Sequence, residues 1–189
     1  MLDRRVRYAT LLGKTDPAIA PAALADFVTR LAGAGSPLTL AVTRAQSLEE
    51  ALVLLLCSPH NPVGRVWRAD ELHEVLRIAR RHDLTVVSDD IHCDLVYSDA
   101  RHTMLGSLAQ AGDKIITSIS PGKTFNLQGL GLSALVIPHE AQRTAVARVF
   151  ASMHLDQCHP FSITAFEAAY RGGGEWLDAL LAYLETTRD

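Results

Sequence analysis

The chain has 189 residues, 48% hydrophobic and 21% charged, with a formal net charge of −3. That balance suits one domain with a sizeable core, and its mild acidity offers no footprint for nucleic acid or for an anionic membrane surface. No apolar run approaches the roughly 18 residues of a membrane span, and Met1-Leu2-Asp3-Arg4-Arg5 is not followed by the apolar core of a signal peptide.

Residues 1–50 form an N-terminal segment without a domain assignment. Its first 16 residues are basic and irregular. Between residues 19 and 31, Leu24, Phe27, Val28 and Leu31 fall on one helical face, and Gly33-Ala34-Gly35-Ser36-Pro37 ends that helix. Residues 38–42 read as a strand, and residues 44–50 as a linker or short helix.

From residue 51 to residue 189 the pattern becomes that of an α/β domain core. Ala51-Leu52-Val53-Leu54-Leu55-Leu56-Cys57 is a continuous apolar run of strand length, as expected of a parallel sheet covered on both faces. Ser58-Pro59-His60-Asn61-Pro62-Val63-Gly64 can only be a turn-rich loop. Residues 69–82 carry Leu72, Val75, Leu76 and Ala79 on one helical stripe, closed by His82-Asp83. Leu84 to Ser88 is the next buried strand, so the three elements make a βαβ unit.

Lys114-Ile115-Ile116-Thr117 is a further short buried strand, followed by the polar turn Ser118-Ile119-Ser120-Pro121-Gly122-Lys123-Thr124. The connection onward to residues 131–137 is short and carries no helix, so that strand is expected to run antiparallel to its neighbour. A helix over residues 139–154 would turn Val146, Val149, Phe150 and Met153 inward. Two further helices, at residues 163–170 and 175–186, are separated by Gly172-Gly173-Gly174. Cys57, Cys93 and Cys158 are scattered and lack ligand spacing, which reads as reduced thiols of a cytoplasmic protein; the eight histidines form no paired metal-binding pattern.

Lys123, at the mouth of a strand among Ser120, Gly122 and Thr124, is either a phosphate ligand or an amine nucleophile. A P-loop would need another glycine where Thr117 stands. The amine reading needs helpers elsewhere, and the order of elements supplies them. Asn61, Asp89 and Lys123 each follow the carboxyl end of a predicted strand, the rim where open α/β sheets bind ligands. Taken singly, Asp89 could cap a helix, Asn61 could serve its turn and His92 could be a packed histidine.

Taken together they suit pyridoxal 5′-phosphate (PLP), the cofactor that uses a lysine, a carboxylate and a phosphate site at once. Lys123 would hold it as a Schiff base, and Asp89 would keep its pyridine nitrogen protonated. Asn61 and His92 could hydrogen-bond the phenolate oxygen. Ser120 is placed to meet the phosphate, with Thr124 a second candidate.

Three ordered runs then carry a resemblance: Cys57 to Trp67, Val87 to Tyr97, and Ser120 to Leu127. They resemble fold-type I PLP enzymes of the class I/II aminotransferase superfamily. His-Asn-Pro-Val-Gly-Arg-Val-Trp, together with His92 where many aminotransferases carry tyrosine, is similar to the cystathionine β-lyase (MalY/PatB-type) branch. The resemblance implies a three-layer, mostly parallel sheet with helices on both faces and one antiparallel strand after the lysine loop. It implies that residues 51–189 are the core of the large, PLP-binding domain, and that the small C-terminal domain is absent.

It also implies Lys123 as Schiff-base lysine and proton shuttle, Asp89, Asn61, His92, Ser120 and Thr124 as cofactor ligands, and a cis Asn61-Pro62 bond. Gly122, Ser58, Asp90 and Gly131 depart from the residues common there (serine, asparagine, glutamate and arginine). The expected activity is a carbon–sulfur β-lyase acting on small cystathionine- or cysteine-like amino acids, in a homodimer. The alternatives are an aminotransferase or, since family members run to roughly twice this length, a truncated and non-catalytic remnant.

Overall fold

The computed structural model describes residues 8–11, 40–43, 53–155 and 158–188. Among them a six-stranded sheet runs in the order β2-β1-β3-β4-β5-β6. Its strands are β1 Tyr8–Leu11, β2 Leu40–Thr43, β3 Val53–Cys57, β4 Thr85–Asp89, β5 Ile115–Ile119 and β6 Ala134–Val136. The described α-helices are α1 Ala69–Arg81, α2 Pro121–Thr124, α3 Glu140–Ser152, α4 Pro160–Gly172 and α5 Gly174–Thr186.

Strands β1, β3, β4 and β5 pair in parallel, while β6 runs antiparallel to β5 as the short connection predicts. Tyr8–Leu11 corrects the reading of the first 16 residues as irregular. This strand pairs in parallel with β3 and antiparallel with β2. Its partners are distant in sequence, and a strand of this length has no periodicity to announce it. The helix expected over residues 19–31 and the linker or helix over 44–50 lie outside the described residues.

Helix α1 forms where the sequence places it. Asp70 and Glu71 favour its positive N-terminal end, Arg80 and Arg81 its negative C-terminal end. The Glu71 carboxylate reaches back to accept the Arg68 N–H at 2.8 Å, closing the first turn. Leu72, Val75, Leu76, Ile78 and Ala79 are buried against Leu54, Leu56, Val86 and Ile115 of the sheet. Each large apolar side chain removed from water there contributes about 1.5–3 kcal/mol. Past the helix, Asp83 takes a left-handed φ of 52° and turns the chain into β4.

The two faces of the sheet differ. In β3 and β4 buried residues alternate with half-buried ones. Leu54, Leu56, Val86 and Ser88 face α1, while Leu55, Cys57, Val87 and Asp89 face the other way and keep partial exposure. The continuous apolar run of β3 is therefore sealed completely on one face. Helix α3 also departs from expectation. Val149, Phe150 and Met153 are exposed rather than inward, and no residue of the helix is buried. An apolar stripe says that a helix can be covered; it does not supply the cover.

Candidate functional site

Strand register builds the centre of the site. Cys57 pairs with Asp89, and Asp89 with Ser118, so these residues make one row across the carboxyl ends of β3, β4 and β5. Both hydrogen bonds to the Asp89 carboxylate end on Oδ1, from the Ser118 hydroxyl at 3.2 Å and the Ile91 N–H at 3.4 Å. Oδ2 accepts nothing among the described residues, so the group is held in orientation with one oxygen free. The next residue, Asp90, turns to the opposite face. It is fully buried and meets His102 Nε2 at 2.9 Å. Two adjacent acids thus have separate employments, because successive side chains of a strand alternate.

The loop after β3 brings Asn61 to the same rim. It contains cis peptide bonds at Ser58-Pro59 and Asn61-Pro62, the second as expected. His60 N–H donates to the Arg65 carbonyl, and Gly64 N–H to the His60 carbonyl, both at 2.8 Å. Gly64 has a φ of 72°, a left-handed conformation that suits glycine. Behind the loop, Arg65 pairs with the buried Glu71 of α1, and Trp67 Nε1 donates to the Cys57 carbonyl at 2.9 Å. The Asn61 N–H meets the Cys57 sulfur at 3.4 Å, while its side-chain amide is exposed and bonds to none of the described residues. Burial pushes the Cys57 thiol up, and Asp89 and Asp90 add to this against the Asn61 N–H.

His92 stands in the turn after β4, half-buried, with no hydrogen bond to its ring among the described residues. Burial holds it below the ordinary imidazole value. The Lys123 charge lowers it further, and Asp89 opposes both. The imidazole therefore feels both the amine and the carboxylate. Lys123 itself is exposed on the short helix α2 and pairs with no acid among the described residues. Asn61, Asp89 Oδ2, His92 and Lys123 all present unspent hydrogen-bonding capacity at one sheet edge.

Ser120 and Thr124 are set apart from these. The Ser120 hydroxyl caps α2 by accepting from the Gly122 N–H at 3.1 Å and donates to the Leu132 carbonyl at 2.9 Å. Thr124 is completely buried and donates to Asp94 at 2.8 Å. A hydroxyl has one proton to give, and both protons go to protein acceptors. Thr117, where a P-loop would have its glycine, is inside β5.

Sequence reasoning missed Ser118 and Asp94. Ser118 lies within the lysine stretch, but only strand register puts it beside Asp89. An open cavity of about 660 Å³ adjoins the rim, with Asn61 and His92 on one side and Tyr97, Leu181 and Leu184 among its other walls. Asp89 and Lys123 do not line it. The cavity neighbours the four-residue cluster without containing it.

Residues 38–189 match the family described as Aminotransferase class I and II. Cystathionine β-lyase PatB of Bacillus subtilis is 40% identical over 134 residues, which are 70% of this chain and 35% of PatB. The chain thus spans about a third of the length of the curated relatives it matches. Among solved structures, the PLP-bound C-S lyase of Staphylococcus hominis aligns with a TM-score of 0.66 and 34% identity, covering 72% of this chain and 34% of that one. Cystalysin of Treponema denticola, which contains a PLP cofactor, aligns with a TM-score of 0.64 and 38% identity, covering 71% and 36%.

Proposed function

The chain belongs to the class I and II aminotransferase family, and from that membership we propose that it carries the PLP-binding core of a carbon–sulfur β-lyase. The observation that carries the reading is Asp89 at the rim shared with Asn61, His92 and Lys123, its carboxylate held through Oδ1 while Oδ2 has no partner among the described residues. A lone acceptor oxygen of fixed orientation suits a protonated ring nitrogen, and a free amine suits an aldehyde. The residues fit the group. When bound, PLP supplies an electron sink that stabilises negative charge at the substrate's Cα.

The roles of this chain's residues follow from their chemistry. Asp89 would accept from the ring nitrogen and keep it charged. Asn61 would donate its amide to the phenolate oxygen, and His92, its pKa lowered by burial and the neighbouring amine, would keep one ring N–H to donate beside it. Lys123 would hold the aldehyde, and its amine would serve as the base for the substrate's Cα proton. Ser120 and Thr124 meet the phosphate only by exchanging Leu132 and Asp94 for it. The net reaction is a thioether amino acid plus water giving a thiol, pyruvate and ammonia; the Cβ–S bond breaks and the sulfur leaves with a proton. We assign cystathionine- or cysteine-like substrates, a cytoplasmic setting in keeping with the three unpaired cysteines, and a homodimer.

Adding PLP to the isolated chain is expected to give a visible absorbance band that Lys123→Ala abolishes and Asp89→Ala weakens. A band unchanged in Lys123→Ala would remove the lysine from its role. Incubation with L-cystathionine should then release thiol and pyruvate together without a 2-oxo acid. Turnover that needs a 2-oxo acid would instead favour the aminotransferase reading.

A further inference from the structure

The turn that carries Lys123 is gripped from behind by Asp94, Tyr170 and Trp176, which the cofactor reading does not use. Thr124, next to the lysine, is fully buried and donates to Asp94 Oδ2 at 2.8 Å. The Tyr170 hydroxyl of α4 reaches the same oxygen at 3.4 Å. Burial and the nearby Asp94 push both the Tyr170 phenol and the Cys93 thiol up to about 12, so each keeps its proton beside the carboxylate. Phe125, the following residue, packs edge-on against Tyr170 with ring centroids 5.4 Å apart, and against Trp176 of α5 at 5.9 Å. Gly173, between α4 and α5, leaves room for that ring, since a Cβ there would lie 2.5 Å from it. Asp94 is also two residues from His92, in a turn closed by the Leu95 N–H donating to the His92 carbonyl at 2.9 Å.

We propose that Asp94 is a positioning residue: through Thr124 it ties the Lys123 turn to the loop that carries His92, and so sets the separation of amine and imidazole. This rests on the reading of Lys123 and His92 as partners at one site. A hydroxyl–carboxylate bond is stronger than a neutral one, and the fully buried Thr124 hydroxyl has no water at hand to replace it when cut. Losing it frees Thr124, and with it the adjacent lysine, while the His92 loop stays on β4.

The test uses the chain without PLP, so it does not depend on turnover. The His92 midpoint is followed by NMR titration of its imidazole. Lys123→Ala should raise that midpoint by removing the neighbouring charge. Thr124→Val, isosteric but without the donor, should raise it at least half as far, and Thr124→Ser should restore the original value. Should Thr124→Val fail to fold, the smaller Thr124→Ala carries the same expectation. A folded Thr124→Val or Thr124→Ala with an unmoved His92 midpoint overturns the proposal, as does a Lys123→Ala that leaves His92 unmoved. If no PLP band forms yet Thr124→Val moves His92, the cofactor reading fails while the positioning role stands.

Discussion

His60 stacks on Trp67 with ring centroids 6.2 Å apart and planes 11° from parallel, and neither of its nitrogens finds a partner among the described residues. Burial first, then the Arg65 charge, holds its pKa below the ordinary value, and His92 is lowered too. The sign of the linkage is set by this direction. As pH falls through the ordinary imidazole range the unfolded chain takes protons that the folded chain refuses, so stability falls with it. Urea midpoints are expected to decline from about pH 7.5 to about pH 5.5, and His60→Leu, which cannot titrate, should flatten part of that slope. A wild-type midpoint that is level across the window would contradict the lowered values. Residue types were legible at this scale: Asn61, Asp89, His92 and Lys123 stand out by motif. Strand alternation puts Asp89 and Asp90 on opposite faces without naming them, so the choice of Asp89 over Asp90 came from the motif and not from periodicity.

Helix α1 and helix α3 show how far an apolar stripe can be trusted. Both have one, yet Leu72, Val75 and Leu76 of α1 are at most 1% exposed while Val149 of α3 is 54% exposed. Leu76→Ala should cost about 2–5 kcal/mol by lost burial and the cavity left behind, whereas Val149→Ala should stay within about 0.5 kcal/mol. Chemical unfolding of the two variants beside the wild type checks both. Equal losses would mean that α3 is covered in solution. The sequence located α1, β3, β4, β5 and the antiparallel β6, since each has a local signature. It overlooked β1, whose existence depends on pairing with β3.

At the scale of the whole molecule, apolar side chains gather on the C-terminal elements: Met153, Leu155, Phe161 and Ile163 are all more than half exposed. Patches of this kind usually mark an interaction surface. The homodimer proposed above would cover some of it, and the chain is expected to sediment as a concentration-dependent dimer that Phe161→Glu weakens. A wild-type chain that stays monomeric at every concentration would contradict the homodimer, and a dimer unaffected by Phe161→Glu would place its contacts elsewhere. The grip of α4 and α5 on Phe125 belongs to this scale as well, because it joins residues far apart in sequence around one lysine.

What the sequence determined by itself was everything encoded over short distances: the βαβ order, the amphipathic helix α1, and the residue types standing after successive strands. What only the tertiary structure decided was how polar groups are spent. Register put Ser118 against Asp89 and left Oδ2 without a partner among the described residues, while the pairing of β4 with β5 brought their following turns together and gave the Thr124 hydroxyl to Asp94. The physical reason is that each hydroxyl or carboxylate has few bonds to make, and the partner that takes them is chosen by distance in space.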